Sequence, residues 1–248
     1  LQGKDDRMLF IIGPCSIHNV EQAKIYATEL HRLAERVKDK ILIVMRTYFS
    51  KPRTTVGWKG LMYDPKLNGS SEINLGLETT RSLLRDINAL GMPCGYEMLD
   101  TITPQYLTDL MSWGAIGART TESQIHRELV SGVSMPTGFK NGTNGNTKIA
   151  VDAMVSAAHS HCFPGIDMDG RAIVCTTSGN PHTHVILRGG TDAPNYGREH
   201  VEALVADLAS LPASMNRAII VDCSHGNSGK DYRNQHIPFH NTIELRTS

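Results

Sequence analysis

The chain has little that would tie it to a membrane, a nucleic acid or an oxidising compartment. Its longest apolar runs, 8–12 and 41–45, are far shorter than the roughly 20 residues that a membrane span requires. Neither sign of charge is in excess: 25 Lys and Arg stand against 25 Asp and Glu in 248 residues. Bulk charge therefore cannot hold a nucleic acid or an acidic membrane surface. The five cysteines, at 15, 94, 162, 175 and 223, are an odd and scattered set with no disulfide framework. Three of them sit inside or at the end of apolar runs, as free buried thiols do, and a reducing, cytoplasmic setting fits them. No basic segment followed by an apolar core opens the chain, and Leu1 in place of an initiator methionine reads as a cut N-terminus. What remains, 40% hydrophobic and 20% charged residues, is the composition of a globular protein with a substantial core.

Short apolar runs alternate with longer amphipathic ones, a rhythm that predicts βα units around a parallel sheet. The expected strands are 9–13, 41–48, 93–99, 115–120, 136–141, 184–190 and 217–224. Helical patterns lie at 20–38, 75–90, 104–112, 123–132, 147–159 and 198–211, the third with Thr103-Pro104 as an N-cap and first-turn pair. The polar, glycine-containing stretch 162–178 reads as an inserted hairpin. With no linker to divide the chain, a single α/β TIM (β/α)8 barrel is the leading architecture, and a doubly wound sheet is the alternative. The tail 236–248 has no helical face; at best 242–247 alternates as one short strand.

Positive charge recurs at the expected strand ends. Arg46 ends the second strand and is followed by Lys51, Arg53 and Lys59; Arg119 ends the fourth, Lys140 the fifth and Arg188 the sixth. In a barrel these ends meet on the face where active sites lie, so phosphate or carboxylate substrates are implied. Any one such cation is more often a solvated or salt-bridged surface group; four in register are harder to dismiss. Two further strand ends carry Cys15 and His225, donors that suit a divalent metal, although a lone Cys or His is more often structural. Glu97 and Asp222 are carboxylates at neighbouring strand ends. His182 and His184 share one strand face and read mainly as structural, as do the other cysteines.

Several blocks, in order, carry a resemblance: Gly13-Pro14-Cys15-Ser16, Met45-Arg46, Lys51-Pro52-Arg53-Thr54-Thr55, Gly117-Ala118-Arg119-Thr120, Gly138-Phe139-Lys140-Asn141, Leu187-Arg188-Gly189-Gly190 and Asp222-Cys223-Ser224-His225. From about residue 9 to 235 the sequence resembles the class I, feedback-regulated microbial and fungal 3-deoxy-D-arabino-heptulosonate 7-phosphate (DAHP) synthases. The related octulosonate 8-phosphate synthases carry Ala-Asn where this chain has Pro52-Arg53. The resemblance implies condensation of phosphoenolpyruvate with erythrose 4-phosphate, releasing phosphate, at the first step of the shikimate pathway to aromatic amino acids. It implies that Arg119, Lys140 and Arg188, with Arg46 beside them, hold phosphoenolpyruvate, and that Lys51, Pro52, Arg53 and Thr54 hold the tetrose phosphate. Cys15 and His225 would be two ligands of a divalent metal (Mn, Fe, Co or Zn), and Glu97 a proton-transfer group, with Lys51 and His225 also in catalytic roles. Gln105, Ser134 and Gly165 fall where family members bind an inhibitory aromatic amino acid; the small Gly165 leans to tyrosine. Homo-oligomers are the family pattern.

The resemblance also implies a Glu at the end of an eighth strand and an Asp beyond it, completing the metal site; the sequence ends before either. The expected organisation is therefore an incomplete barrel over 1–235, without the family's last βα unit or N-terminal extension, and a divergent tail over 236–248, with the first and seventh strands unpaired at their outer edges. Two other readings stand beside the enzyme: a catalytically defective paralogue serving only as partner subunit of a full-length synthase, and a class II metal aldolase acting on another sugar phosphate.

Overall fold

A computed structural model describes residues 1, 3–167 and 169–247. The chain forms two compact units, one over Gly3–Ala115 and the other from Ile116 onward. In the first, β1 (Met8–Ile12), β2 (Ile41–Arg46), β3 (Cys94–Glu97) and β4 (Trp113–Ile116) pair in parallel and in chain order, with Met8 opposite Ile41, Arg46 opposite Gly95 and Glu97 opposite Ala115. Helix α1 (Val20–Val37) joins β1 to β2. It begins where the Asn19 side chain accepts the Gln22 N–H at 2.9 Å, and it buries Ala23, Ala27 and Leu30, a stripe at helical spacing. Helix α2 (Ile73–Ala89) joins β2 to β3 and buries Thr80, Leu83, Leu84 and Ile87.

The expected helix at 104–112 is instead two short 3-10 turns, Thr103–Tyr106 and Thr108–Leu110. Asp100 takes the Ile102 and Thr103 amides and the Thr103 hydroxyl, and the turn begins at Thr103 with Ile102 as its N-cap, which corrects the expected Thr103-Pro104 cap pair. It then breaks at Leu107, whose backbone leaves helical geometry while its side chain is completely buried. Anchoring one apolar residue takes precedence over continuing the helix, as is usual for such short runs.

In the second unit, β5 (Thr137–Lys140), β8 (Thr183–Leu187) and β9 (Ile219–Val221) run parallel, with Gly138 opposite His184 and Leu187 opposite Val221. Helices α3 (Gln124–Ser131), α4 (Lys148–Ala157) and α5 (Arg198–Ala209) precede or follow them. The expected hairpin is present: β6 (Cys162–Ile166) and β7 (Ala172–Thr176) pair antiparallel. The tail departs from expectation. Residues His236–Thr247 form helix α6, not a strand. Its Pro238 lies in the first turn, where a missing N–H costs nothing. Pro238 is the only residue of α6 that is buried among the described ones, so no apolar stripe marks this helix in the sequence.

Burial grades along the strands. Every residue of β3, β4, β5 and β8 is buried, whereas β1 and β9 are half-buried throughout. Among the described residues β1 pairs with β2 and β9 with β8. Of the five cysteines, all free, Cys94 is fully buried, its thiol pushed up to about 12 by desolvation; Cys175 and Cys223, at the ends of apolar runs, are half-buried, and Cys15 and Cys162 are exposed. No helix is long and apolar enough to cross a membrane among the described residues.

Gly76 shows how closely α2 sits on the preceding loop: a Cβ there would overlap the Met62 carbonyl oxygen. Gly→Ala inside a helix ordinarily stabilises by about 1 kcal/mol. Here Gly76→Ala is expected to destabilise by about 1–3 kcal/mol through overpacking, read as a lower urea midpoint at unchanged m-value.

Candidate functional site

Arg46 and Glu97 end strands of the first unit, and Cys15 and Lys51 follow in the loops beyond β1 and β2. Arg46 is the last residue of β2 and half-buried; its Nη1 donates to the Pro14 carbonyl at 2.6 Å and its guanidinium lies 3.8 Å from the centre of the Tyr48 ring. The carbonyl and the aromatic face together hold the guanidinium beside the loop that follows β1. Beyond β1, the exposed Cys15 Sγ receives Lys51 Nζ at 2.9 Å. Burial pushes this thiol up, but Lys51 and Arg46 outweigh it and hold the thiol below the usual cysteine range. Lys51 is tied down by its backbone N–H to the Lys59 carbonyl at 2.8 Å. Pro52, Arg53 and Thr54 follow in an exposed loop, in which Arg53 Nε donates to the Trp58 carbonyl at 2.8 Å. Glu97 ends β3, 7% exposed. Gln105 is exposed on the first 3-10 turn.

In the second unit, Lys140 is the last residue of β5 and 6% exposed. Its Nζ lies 3.7 Å from Asp222 Oδ2, and the same oxygen lies 2.8 Å from His225 Nδ1. Burial raises the affinity of the Asp222 carboxyl for a proton, but the His225 ring and the Lys140 ammonium outweigh it and hold the carboxyl well below the ordinary carboxylate range. With Nδ1 facing Asp222, the Nε2 edge of His225 is the one left for a ligand. His225 has φ +54°, a left-handed backbone unusual for a residue with a side chain, and it opens the 3-10 turn His225–Ser228 instead of ending β9.

Arg188 is the first residue after β8, 9% exposed, with Nη1 donating to the Gly189 carbonyl. Gly189 has φ +78°, and a Cβ there would meet Asn227 N and the Gly226 carbonyl carbon at 2.5 Å. The loops after β8 and β9 thus touch backbone to backbone, which requires glycine. Arg119 corrects the sequence reading. β4 ends at Ile116, and Arg119 is exposed in the turn beyond, where the Gly117 carbonyl accepts the Thr120 and Thr121 amides. Ser134 is exposed on the approach to β5. Gly165 lies in β6, where a Cβ would collide with Cys175 Sγ.

The first unit therefore brings together Cys15, Lys51 and Arg46, and the second brings together Lys140, Asp222 and His225, with Arg188 on the neighbouring strand. Sequence reasoning missed the asparagines beside these cations, Asn141, Asn195 and Asn227, all buried. Asn141 directly after Lys140 and Asn227 two residues after His225 were the available signal. Toward a metal, the chain offers a cation-lowered thiol and an imidazole oriented by a carboxylate. No group of three or more His, Cys, Asp or Glu suited to a metal occurs among the described residues.

Buried cations at or just past the ends of parallel strands, Lys140 and Arg188, mark an α/β protein with fixed positive charge at its strand ends. The particular family follows from comparison: the chain belongs to the DAHP synthetase I family, whose model matches residues 1–241. It is 55% identical over 237 residues to the Phe-sensitive phospho-2-dehydro-3-deoxyheptonate aldolase of Escherichia coli K12, covering 95% of this chain and 66% of that protein. It is 53% identical over 235 residues to the Trp-sensitive protein of the same strain, covering 95% and 67%. A solved structure of the phospho-2-dehydro-3-deoxyheptonate aldolase of Francisella tularensis SCHU S4 superposes with a TM-score of 0.96 at 48% identity, covering 99% of this chain and 71% of that one. The chain spans just under two thirds of the length of the Phe-sensitive relative.

Beneath the second-unit site, His184 is completely buried, as its structural reading expects, and desolvation pushes its ring down to about 4. The folded ring stays neutral where the unfolded ring, at about 6.5, takes up a proton. The unfolded state therefore binds more protons between these values, and stability falls as pH drops from about 6.5 toward 4, by about 3 kcal/mol in full. Urea unfolding of the wild type and of His184→Gln across this range should show a stability difference that shrinks at low pH. A pH-independent difference would place the proton elsewhere.

Proposed function

We propose that this chain carries the phosphoenolpyruvate and erythrose 4-phosphate chemistry of a DAHP synthase, the first step of the shikimate pathway toward aromatic amino acids. The observation that carries this reading is the family match together with the buried Lys140, paired through Asp222 to His225 and followed on the next strand by the buried Arg188. A dianionic phosphate beside a carboxylate needs several fixed cations, and guanidinium forks match both groups. On this reading Arg119, Lys140 and Arg188, with Arg46, hold phosphoenolpyruvate. Lys51, Pro52, Arg53 and Thr54 hold the tetrose phosphate.

The reaction forms one carbon–carbon bond between the methylene carbon of phosphoenolpyruvate and the aldehyde carbon of the sugar. Water supplies the oxygen of the new keto group, and the bond from the former enol carbon to the phosphate oxygen breaks to release inorganic phosphate. The cations stabilise charge that develops on phosphate and carboxylate. Glu97, buried at the end of β3, is the proton-transfer group of this scheme. A divalent metal, Mn, Fe, Co or Zn, would take Cys15 and His225 as two of its ligands and supply Lewis-acid polarisation of the aldehyde. His225 is suited to this because Asp222 holds its Nδ1 edge, and Cys15 because Lys51 and Arg46 favour its thiolate.

The same reading places the strands in a (β/α)8-type barrel, assigns Gln105, Ser134 and Gly165 to an aromatic amino acid effector, and makes the protein a cytoplasmic homo-oligomer with no nucleic-acid or membrane partner. The partner-subunit reading finds no support, because the relatives are named for the aldolase activity.

Purified chain supplied with both substrates and Mn²⁺ is expected to release phosphate, and excess EDTA to suppress the release; no release would remove the activity from this chain. Arg119→Ala should weaken phosphoenolpyruvate binding by about 1.5–3 kcal/mol, the range for a hydrogen bond to a charged group. Equal affinity by isothermal titration would remove Arg119 from the anion site.

A further inference from the structure

Three asparagines, none of them a charged or metal-binding group, join the strand ends of the second unit. Asn141 follows Lys140; its Oδ1 accepts the Arg188 N–H at 2.7 Å, and its Nδ2 donates to the Gly142 and Gly189 carbonyls at 2.8 and 3.1 Å. Asn227, two residues past His225, donates from Nδ2 to the Leu187 and Asp222 carbonyls, both at 3.0 Å. Asn195, in the loop between β8 and α5, touches both. Its Oδ1 accepts the Gly189 N–H at 2.7 Å, its Nδ2 donates to Asn141 Oδ1 at 3.2 Å, and its backbone N–H reaches Asn227 Oδ1 at 2.8 Å. Asn141, Asn195 and Asn227 are exposed by only 0%, 5% and 5%.

Side-chain amides are costly to bury, and a network of them is tolerated only when every donor and acceptor is used. Each of these three side chains both donates and accepts, and most of the bonds end on Arg188, on Asp222 or on residues directly beside Lys140 and Arg188. Packing alone would be met by apolar side chains of similar size. An amide can instead accept from one strand end while donating to another, which sets the heights of the strand ends relative to each other.

We propose that Asn195 is a positioning residue of the anion site: through Asn141 and Asn227 it sets where Lys140, Arg188 and His225 stand relative to one another. The inference rests on the reading of this site as the phosphoenolpyruvate site. Without the Asn195 side chain, the Gly189 N–H and Asn141 Oδ1 each lose a partner and the backbone of Arg188 loses the side chain that braces its own acceptor, while the backbone bond from residue 195 to Asn227 Oδ1 is kept. The cations remain, but their spacing is no longer held to that of one small dianion.

The test is isothermal titration of phosphoenolpyruvate into the whole chain as wild type, Asn195→Ala and Leu204→Ala. Leu204 is buried on α5 outside the network and serves as a control for lost stability. Near-ultraviolet circular dichroism checks that each protein is folded at the titration temperature. The expected result is a tenfold or greater loss of affinity in Asn195→Ala, with Leu204→Ala within twofold of wild type despite its lower melting temperature. Affinity of Asn195→Ala within twofold of wild type, or equal losses in the two variants, would overturn the positioning role while leaving the proposed function standing. A wild-type chain that does not bind phosphoenolpyruvate would overturn both. Should Asn195→Ala not fold, Asn195→Ser, which keeps a small polar group facing the Gly189 N–H, carries the test at the same thresholds.

Discussion

A half-buried carboxylate held between an ammonium and an imidazole is the constraint on which the second unit is organised. Asp222 leaves β9 facing Lys140 from β5 and His225 from its own loop. A carboxylate shielded from water would by itself be disfavoured, and the His225 ring and the Lys140 ammonium beside Asp222 reverse that preference. Because Asp222 and Lys140 come from different strands, their attraction bears directly on strand register. Because the His225 ring faces the same oxygen, the orientation of a potential ligand is set by the same pair. The left-handed backbone at His225 and the glycine contacts between the loops after β8 and β9 are local costs of bringing these groups so close.

The first unit meets a related problem with fewer buried charges. Arg46 is held by a carbonyl and an aromatic face, and Lys51 by its own backbone and by the Cys15 thiol. Its cations are more solvated than Lys140 and Arg188, and the loop carrying Pro52, Arg53 and Thr54 is exposed. The difference suits two kinds of task. A rigid, desolvated cation reads a small ligand by geometry, whereas a loop-borne cation can adjust to a longer one.

Much of the fold was legible because its elements obey simple periods. Helices α1, α2, α4 and α5 bury residues at helical spacing, and β1, β2 and β9 are short apolar runs. The readings that failed do not share one cause. The helix expected at 104–112 breaks where Leu107 must be buried, β4 stops at Ile116 where Gly117 starts a turn, and α6 has no apolar stripe to announce it. At Leu107 burial overruled a local pattern, at Gly117 a local turn ended one early, and for α6 no pattern was written at all.

The site divides in the same way. Cations at strand ends, a cysteine after β1 and a histidine after β9 could be read from residue order alone, because alternation along a strand and the position of its end are local properties. What required the tertiary structure was which groups meet. Lys140 and Asp222 stand 82 positions apart in the chain and 3.7 Å apart in space. Asn141, Asn195 and Asn227 look like ordinary loop asparagines until the fold buries them together. Residue types and their order along the chain determine which chemistry is available; only the pairing of distant strands, through backbone hydrogen bonds and buried charge, decides which of those groups act on one another.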